Sequence, residues 1–107
     1  MEIVVTRTYA RALRKMGVTP AEDAEIRATI AANPLAGDVI PGLDGLRKLR
    51  FAFGGRGKRG GGRAVYFLML ADDAAALVFA YAKADREDMT IAQKKMLKQL
   101  MEEIRNG

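Results

Sequence analysis

Residues 45–67 read GLRKLRFAFGGRGKRGGGRAVYF. Two alternating runs, LRKLRFAF at 46–53 and RAVYF at 63–67, flank a segment built of Gly, Arg and Lys alone. That pattern predicts two strands joined by a loop. Successive strand side chains point to opposite faces, so Leu49, Phe51 and Phe53 fall on one side with Arg47, and Lys48 and Arg50 on the other. One face is apolar and the other cationic. The stretch holds seven of the chain's 18 Lys and Arg residues and no acid. Guanidinium forks match phosphate oxygens and ammonium groups neutralise them, so the cationic face suits a polyanion, phosphate above all. The alternative for such a run is a solvated strand face beside a turn.

Upstream, Glu2–Thr6 (EIVVT) reads as a β-branched strand. Thr6 or Thr8 caps a helix in which Tyr9, Leu13 and Met16 share one side, and Gly17 ends it. Arg7, Arg11, Arg14 and Lys15 make its outer side basic. A second helix starts at Thr19-Pro20-Ala21-Glu22, a capping box with proline at the first helical position; Asp23 and Glu25 add charge favourable to its positive end. Ile26 and Ile30 give it an apolar stripe and Asn33-Pro34 stops it. Residues 35–45 read as a turn-rich connector, with Pro41-Gly42 and Asp44-Gly45 as its turns.

Downstream, residues 63–70 and 77–83 are apolar at nearly every position, as strands interior to a sheet are, and turn near Asp72-Asp73. On the second of them Leu77, Phe79, Tyr81 and Lys83 are expected to share a face. After the polar loop at 84–89, Thr90 and Gln93 form another capping box. The helix that follows carries Leu97, Leu100, Met101 and Ile104 at helical spacing, with Lys94, Lys95 and Lys98 outward. Met89, Met96 and Met101 read as core fillers. The whole predicts one α+β domain over residues 1–107: an N-terminal strand, a two-helix hairpin, an antiparallel three-stranded meander and a C-terminal helix, with the helices gathered largely on one side of the sheet.

At 107 residues, 50% of them hydrophobic and 29% charged, the chain suits one domain with one core. It has no cysteine and no histidine, which removes disulfides, thiolate chemistry, the commonest metal ligand and the usual general base. No metal or cofactor is expected, and any catalysis must rest on Lys, Arg, Tyr or carboxylates. The net charge of +5 is uneven: residues 45–70 carry +7 and the remainder −2. The longest apolar run, Ala74–Ala82, is about half the ~20 residues a spanning helix needs. The first, Ile3–Val5, is too short for a secretory core. No membrane role and a cytoplasmic location are expected. Gly55, Gly57 and Gly60 match G-x-G-x-x-G, but a strand follows where the dinucleotide fingerprint requires a helix. The pairs Asp72-Asp73, Glu87-Asp88 and Glu102-Glu103 read as turn, loop and solvated helix end, because sequence neighbours point in different directions.

Gly37-Asp38-Val39-Ile40-Pro41-Gly42, then Gly45-Leu46-Arg47-Lys48-Leu49-Arg50-Phe51, the Gly/basic loop into Gly62-Arg63-Ala64-Val65-Tyr66, and Tyr81-Ala82-Lys83-Ala84 with Glu87-Asp88 form an ordered set. That set resembles the RelE/ParE superfamily of bacterial toxins, most closely its HigB-like branch, over almost the entire chain. The resemblance implies a reduced microbial-ribonuclease-like fold and a toxin of a type II toxin-antitoxin system. Such a toxin would cut mRNA at codons in the ribosomal A site, by attack of the RNA 2′-hydroxyl on the adjacent phosphate. Its partners would be the ribosome, mRNA and an adjacently encoded HigA-like or RelB-like antitoxin. Residue by residue it implies Arg50 and Arg63 on the scissile phosphate, Lys48 as charge stabiliser or proton-transfer group, Lys83 at the leaving oxygen and Tyr81 against a base. Arg47, Arg56, Lys58, Arg59, Arg86, Lys94 and Lys95 are candidate RNA-backbone contacts. Where many relatives carry a further arginine this chain has Ala84, with Arg86 two positions on. The competing expectations are a ParE-like DNA gyrase inhibitor and a non-catalytic RNA-binding module.

Overall fold

A computed structural model of the chain describes residues 1–55, 57, 61–83 and 89–106. In chain order it contains β1 (Glu2–Val5), α1 (Arg7–Met16), α2 (Pro20–Ala32), β2 (Asp38–Val39), β3 (Arg47–Phe51), β4 (Gly62–Met69), a 3-10 turn (Leu70–Asp72), β5 (Ala74–Ala82) and α3 (Ile91–Asn106). Among the described residues the strands form one sheet in the order β1-β5-β4-β3-β2. The antiparallel meander β3-β4-β5 is its centre; β1 joins the far side of β5 in parallel and β2 the far side of β3 in antiparallel sense.

The helix starts follow the capping chemistry of the sequence. Thr6 Oγ1 accepts from the Tyr9 N–H at 3.2 Å and donates to the Leu77 carbonyl at 3.0 Å, so one hydroxyl caps α1 and fastens it to β5. Gly17 closes α1 with a φ of 78°, a left-handed conformation that glycine adopts without strain. At the head of α2, Thr19 Oγ1 accepts from the Glu22 N–H and Glu22 Oε1 accepts from the Thr19 N–H. The second oxygen of Glu22 takes the Gly54 N–H at 2.9 Å, tying the helix to the end of the β3 run. These bonds hold the Glu22 carboxyl below its usual range, those from Thr19 and Gly54 backbone N–H leading. The reciprocal bonds between Thr90 and Gln93 open α3 in the same manner.

Both faces of β4 and β5 are apolar, so both need a cover. On one face α1 and α2 pack Tyr9, Leu13, Ile26 and Ile30 against Leu49, Phe51, Ala64, Tyr66 and Leu77. On the other, Leu97 and Met101 of α3 join Ile40, Leu43 and Leu46 of the connector over Val65, Phe67, Ala76 and Val78. The expectation that the helices gather largely on one side is therefore corrected: α3 takes the opposite face, because the continuous apolar runs of β4 and β5 leave that face greasy too. Within the helical hairpin Tyr9 Oη donates to Asp23 Oδ1 at 2.7 Å and Arg27 donates to Asp23 Oδ2 at 2.7 Å. Burial first, and the Asp23 carboxylate second, push the Tyr9 phenol well above its usual pKa.

Three further details depart from the sequence reading. The connector contains β2, so the sheet has one strand more than the expected order. β5 begins at Ala74 rather than Leu77, since alanine has little strand propensity of its own and is recruited here by pairing with β1. Finally, Tyr66 pairs with Leu77 and Val65 with Phe79, which leaves Val78 as a bulge. The extra residue turns Leu77 toward α1 and α2 while Phe79 and Tyr81 face α3. The four residues expected on one face are thus split after the first. Met89 and Met101 are buried as expected, whereas Met96 is 37% exposed. Among the described residues no helix is long and apolar enough to cross a membrane.

Candidate functional site

Strand register builds the site. Arg50 of β3 lies directly opposite Arg63 of β4, Lys48 opposite Asp38 of β2, and Tyr81 of β5 opposite Arg63. Paired residues of an antiparallel ladder share a face, and for these residues it is the face that α3 covers farther along the sheet. Lys83 follows two residues after Tyr81, where its N–H donates to the Gly61 carbonyl at 3.0 Å and keeps the exit of β5 against the entry of β4. Asp38, Lys48, Arg50, Arg63 and Lys83 consequently line one cleft of about 230 Å³.

Inside the cleft the cations differ in solvation. Arg63 is 7% exposed, with Nη1 donating to the Gly62 carbonyl at 3.0 Å. Burial first, then the Arg50 charge, lower its guanidinium pKa, while Tyr81 acts the other way; an arginine so shifted still carries its charge at neutral pH. Arg50 is exposed, and Lys48 and Lys83 are half-buried. Like charges directly opposed across a ladder cost stability, and the Arg50 charge accordingly disfavours that of Arg63 across the cleft.

Four of the five residues assigned a catalytic role, Lys48, Arg50, Arg63 and Lys83, meet at this cleft. Tyr81 neighbours Arg63 in the ladder but is 6% exposed, stacks beside Phe79 at 6.3 Å between ring centroids, and borders a different cleft of about 500 Å³ with Arg11, Lys15 and Met96. Arg47 stands on the opposite face, where its guanidinium donates to the Gly37 carbonyl at 2.8 Å and braces β2. Lys94 and Lys95 lie in the first turns of α3, half-buried and exposed respectively. Arg56, Lys58, Arg59 and Arg86, with Gly60 and the Glu87-Asp88 pair, lie outside the described residues. The residue that sequence reasoning missed is Asp38. Its signal, Asp-Val-Ile between Gly37 and Pro41, is a strand too short to stand out from a connector.

A larger cleft, about 620 Å³, runs between α2 and the free edge of β3 and also touches Lys48 and Arg50. Glu22 and Glu25 line it as well, so its potential is mixed, whereas the described lining of the smaller cleft sets four cations against one acid. Among the described residues no three His, Cys, Asp or Glu side chains cluster as a metal site would require.

Comparison with known proteins bears on the fold and the family. A solved structure of the E. coli toxin RelE, a double arginine-to-alanine mutant in the free state, superposes with a TM-score of 0.53 at 13% identity, covering 80% of this chain and 86% of that one. The likeness is one of fold. The sequence model described as "RelE toxin of RelE / RelB toxin-antitoxin system" matches residues 1–106. The match spans far more than half of the sequence, and the chain belongs to the RelE toxin family.

Proposed function

We propose that this chain is a ribosome-dependent endoribonuclease that cuts mRNA within codons of the A site and so halts translation. The reading is carried by the facing pair Arg50 and Arg63, with Lys48 and Lys83 on the same cleft. The scissile phosphate sits between the two guanidinium groups. As the 2′-oxygen adds to phosphorus, negative charge grows on the phosphoryl oxygens, and one well-placed donor to such charge is worth about 2.7–4 kcal/mol. Lys48 stabilises that charge or moves a proton, and Lys83 neutralises the leaving oxygen or the flanking phosphate. Tyr81, packed next to Arg63, positions that arginine or a base. Arg56, Lys58, Arg59, Arg86, Lys94 and Lys95 follow the RNA backbone on either side, and Arg47 contributes through β2.

An uncovered cationic site of this kind demands a silencer. The partner is an antitoxin of the HigA-like or RelB-like kind encoded beside the toxin, the branch is HigB-like and the compartment is the cytoplasm that holds the ribosomes. The test is a reconstituted translation reaction in which RNA 5′ ends are mapped with and without the protein. Breaks inside codons that need the ribosome, and vanish when the antitoxin is added, are expected. DNA damage in expressing cells without such breaks would point instead to a gyrase inhibitor, and RNA binding without breaks to a non-catalytic module.

A further inference from the structure

We infer that Asp38 is the general base of the cleft, the group that takes the proton from the attacking 2′-hydroxyl. The inference rests on the nuclease reading above and names a residue that reading leaves unassigned. Cyclisation needs a proton acceptor at the 2′-oxygen and a donor at the 5′-oxygen. An ammonium or guanidinium group is a donor with no acceptor, whereas an ionised carboxylate is an acceptor, and the chain has no histidine. Among the described residues lining the cleft with Lys48, Arg50, Arg63 and Lys83, Asp38 is the only carboxylate.

Its placement is built. The residue before it is held on both sides: the Gly37 N–H donates to Tyr66 Oη at 2.9 Å, and the Gly37 carbonyl accepts from Arg47 at 2.8 Å. Tyr66 Oη donates onward to the Pro34 carbonyl at 2.8 Å. A Cβ on Gly37 would stand 2.8 Å from Tyr66 Cε1 and 3.0 Å from the Lys48 carbonyl oxygen, so glycine alone lets the chain pass this close. The next residue then enters β2 opposite Lys48. Among the described residues the Asp38 carboxylate makes no hydrogen bond or ion pair, so no structural bond accounts for it. An acid in a phosphate site weakens phosphate binding by simple Coulomb repulsion; a site that only bound RNA would be better without it.

The step balances. A carboxylate oxygen of Asp38 accepts the 2′-hydroxyl proton as the bond from the 2′-oxygen to phosphorus forms. The bond from phosphorus to the 5′-oxygen breaks, and that oxygen takes a proton from a protonated lysine, Lys48 or Lys83. The products are a 2′,3′-cyclic phosphate and a 5′-hydroxyl, and proton exchange with water restores both side chains.

The experiment compares the parent with Asp38→Asn and Asp38→Glu on two substrates. Single-turnover cleavage is measured on ribosome-bound mRNA, and affinity on the same complex carrying 2′-deoxyribose at the cleaved nucleotide. Thermal unfolding confirms that each variant is folded, as expected for an exposed position on an edge strand. Asp38→Asn should bind the uncleavable complex as tightly as the parent or more tightly, yet cleave about 10²–10⁴-fold more slowly, with Asp38→Glu retaining more rate than Asn. If Asp38→Asn cleaves as fast as the parent or faster, the acid only tunes potential and the inference falls. A joint loss of affinity and rate makes the residue structural and also overturns it. A parent that cuts nothing overturns the nuclease reading, and this inference with it.

Discussion

Replacing Arg50 by methionine should make the free protein more stable while disabling it. Arg50 and Arg63 oppose each other across β3 and β4, and directly opposed positions hold Cβ atoms about 4.5–5.5 Å apart. Two like charges roughly 6 Å apart repel by about 0.7 kcal/mol at the dielectric constant of water and about 2.8 kcal/mol at an effective value near 20. Arg50 is exposed, which favours the low end, and Asp38 offsets a part; among the described residues the cleft nonetheless holds four cations to one acid. A gain of about 0.5–1 kcal/mol results, or roughly 2–8 °C in Tm for a domain of this size. Methionine keeps an apolar stem in place, so packing changes little. The assay is thermal unfolding in a phosphate-free buffer at about 0.01 M and about 1 M salt, where the screening length falls from about 30 Å to about 3 Å. The gain should be present at low salt and shrink at high salt. The same variant should cleave ribosome-bound mRNA about 10²–10³-fold more slowly. A variant that melts below the parent at low salt, or whose gain ignores salt, refutes the picture of a cleft strained by its own cations.

Gly37→Ala drives a methyl group into Tyr66 and the Lys48 backbone. It should cost about 1–3 kcal/mol by urea unfolding and slow cleavage, because Asp38 and Lys48 both depend on this packing. Tyr9→Phe removes the bond to Asp23 on the far side of the sheet. It should cost about 1.5–3 kcal/mol while leaving the cleavage rate per folded molecule unchanged. The same phenol sets an alkaline limit. Because its folded pKa is raised above the ordinary 10.0, the stability tied to it is complete below that value and is lost as pH rises further, since the unfolded chain gives up the proton first. Melting curves across that range should fall more steeply for the parent than for Tyr9→Phe; parallel curves would show that the phenol is not the titrating group. Glu22 acts at the acid end. Its carboxyl is held below the ordinary 4.5, so its contribution is present above that value and is lost as pH falls through the lower folded pKa. Glu22→Gln should flatten that part of the profile.

The cleft was legible in the sequence because the alternation of residues 46–53 puts Lys48 and Arg50 on one face. Hairpin pairing then brings the first residues of β4 alongside, Arg63 among them. The capping boxes at Thr19 and Thr90 likewise marked the starts of α2 and α3, since the pattern is local and its bonds are made by the residues that spell it. What stayed hidden depends on distant parts of the chain. β2 exists because Gly37 fits beneath Tyr66, nearly thirty residues downstream. The bulge at Val78 leaves no trace in a run that is apolar at every position from Ala74 to Ala82, where a shift of period moves one buried side chain to another buried face. For the same reason the sequence did not tell which face α3 would cover. Tyr81 stands opposite Arg63 in the ladder and is also buried beside Phe79 at the border of a neighbouring cleft, a double position that the alternation of residues 77–83 does not reveal.

The central claim is that Arg63 and its neighbours hold an RNA phosphodiester while the RNA's own 2′-oxygen breaks it. Single-turnover cleavage of ribosome-bound mRNA by Arg63→Ala, set beside the parent at equal occupancy of the ribosome, tests it most directly. The account expects the break to stay at the same nucleotide and the rate to fall about 10²–10³-fold. An Arg63→Ala protein that is folded, bound and as fast as the parent would contradict it.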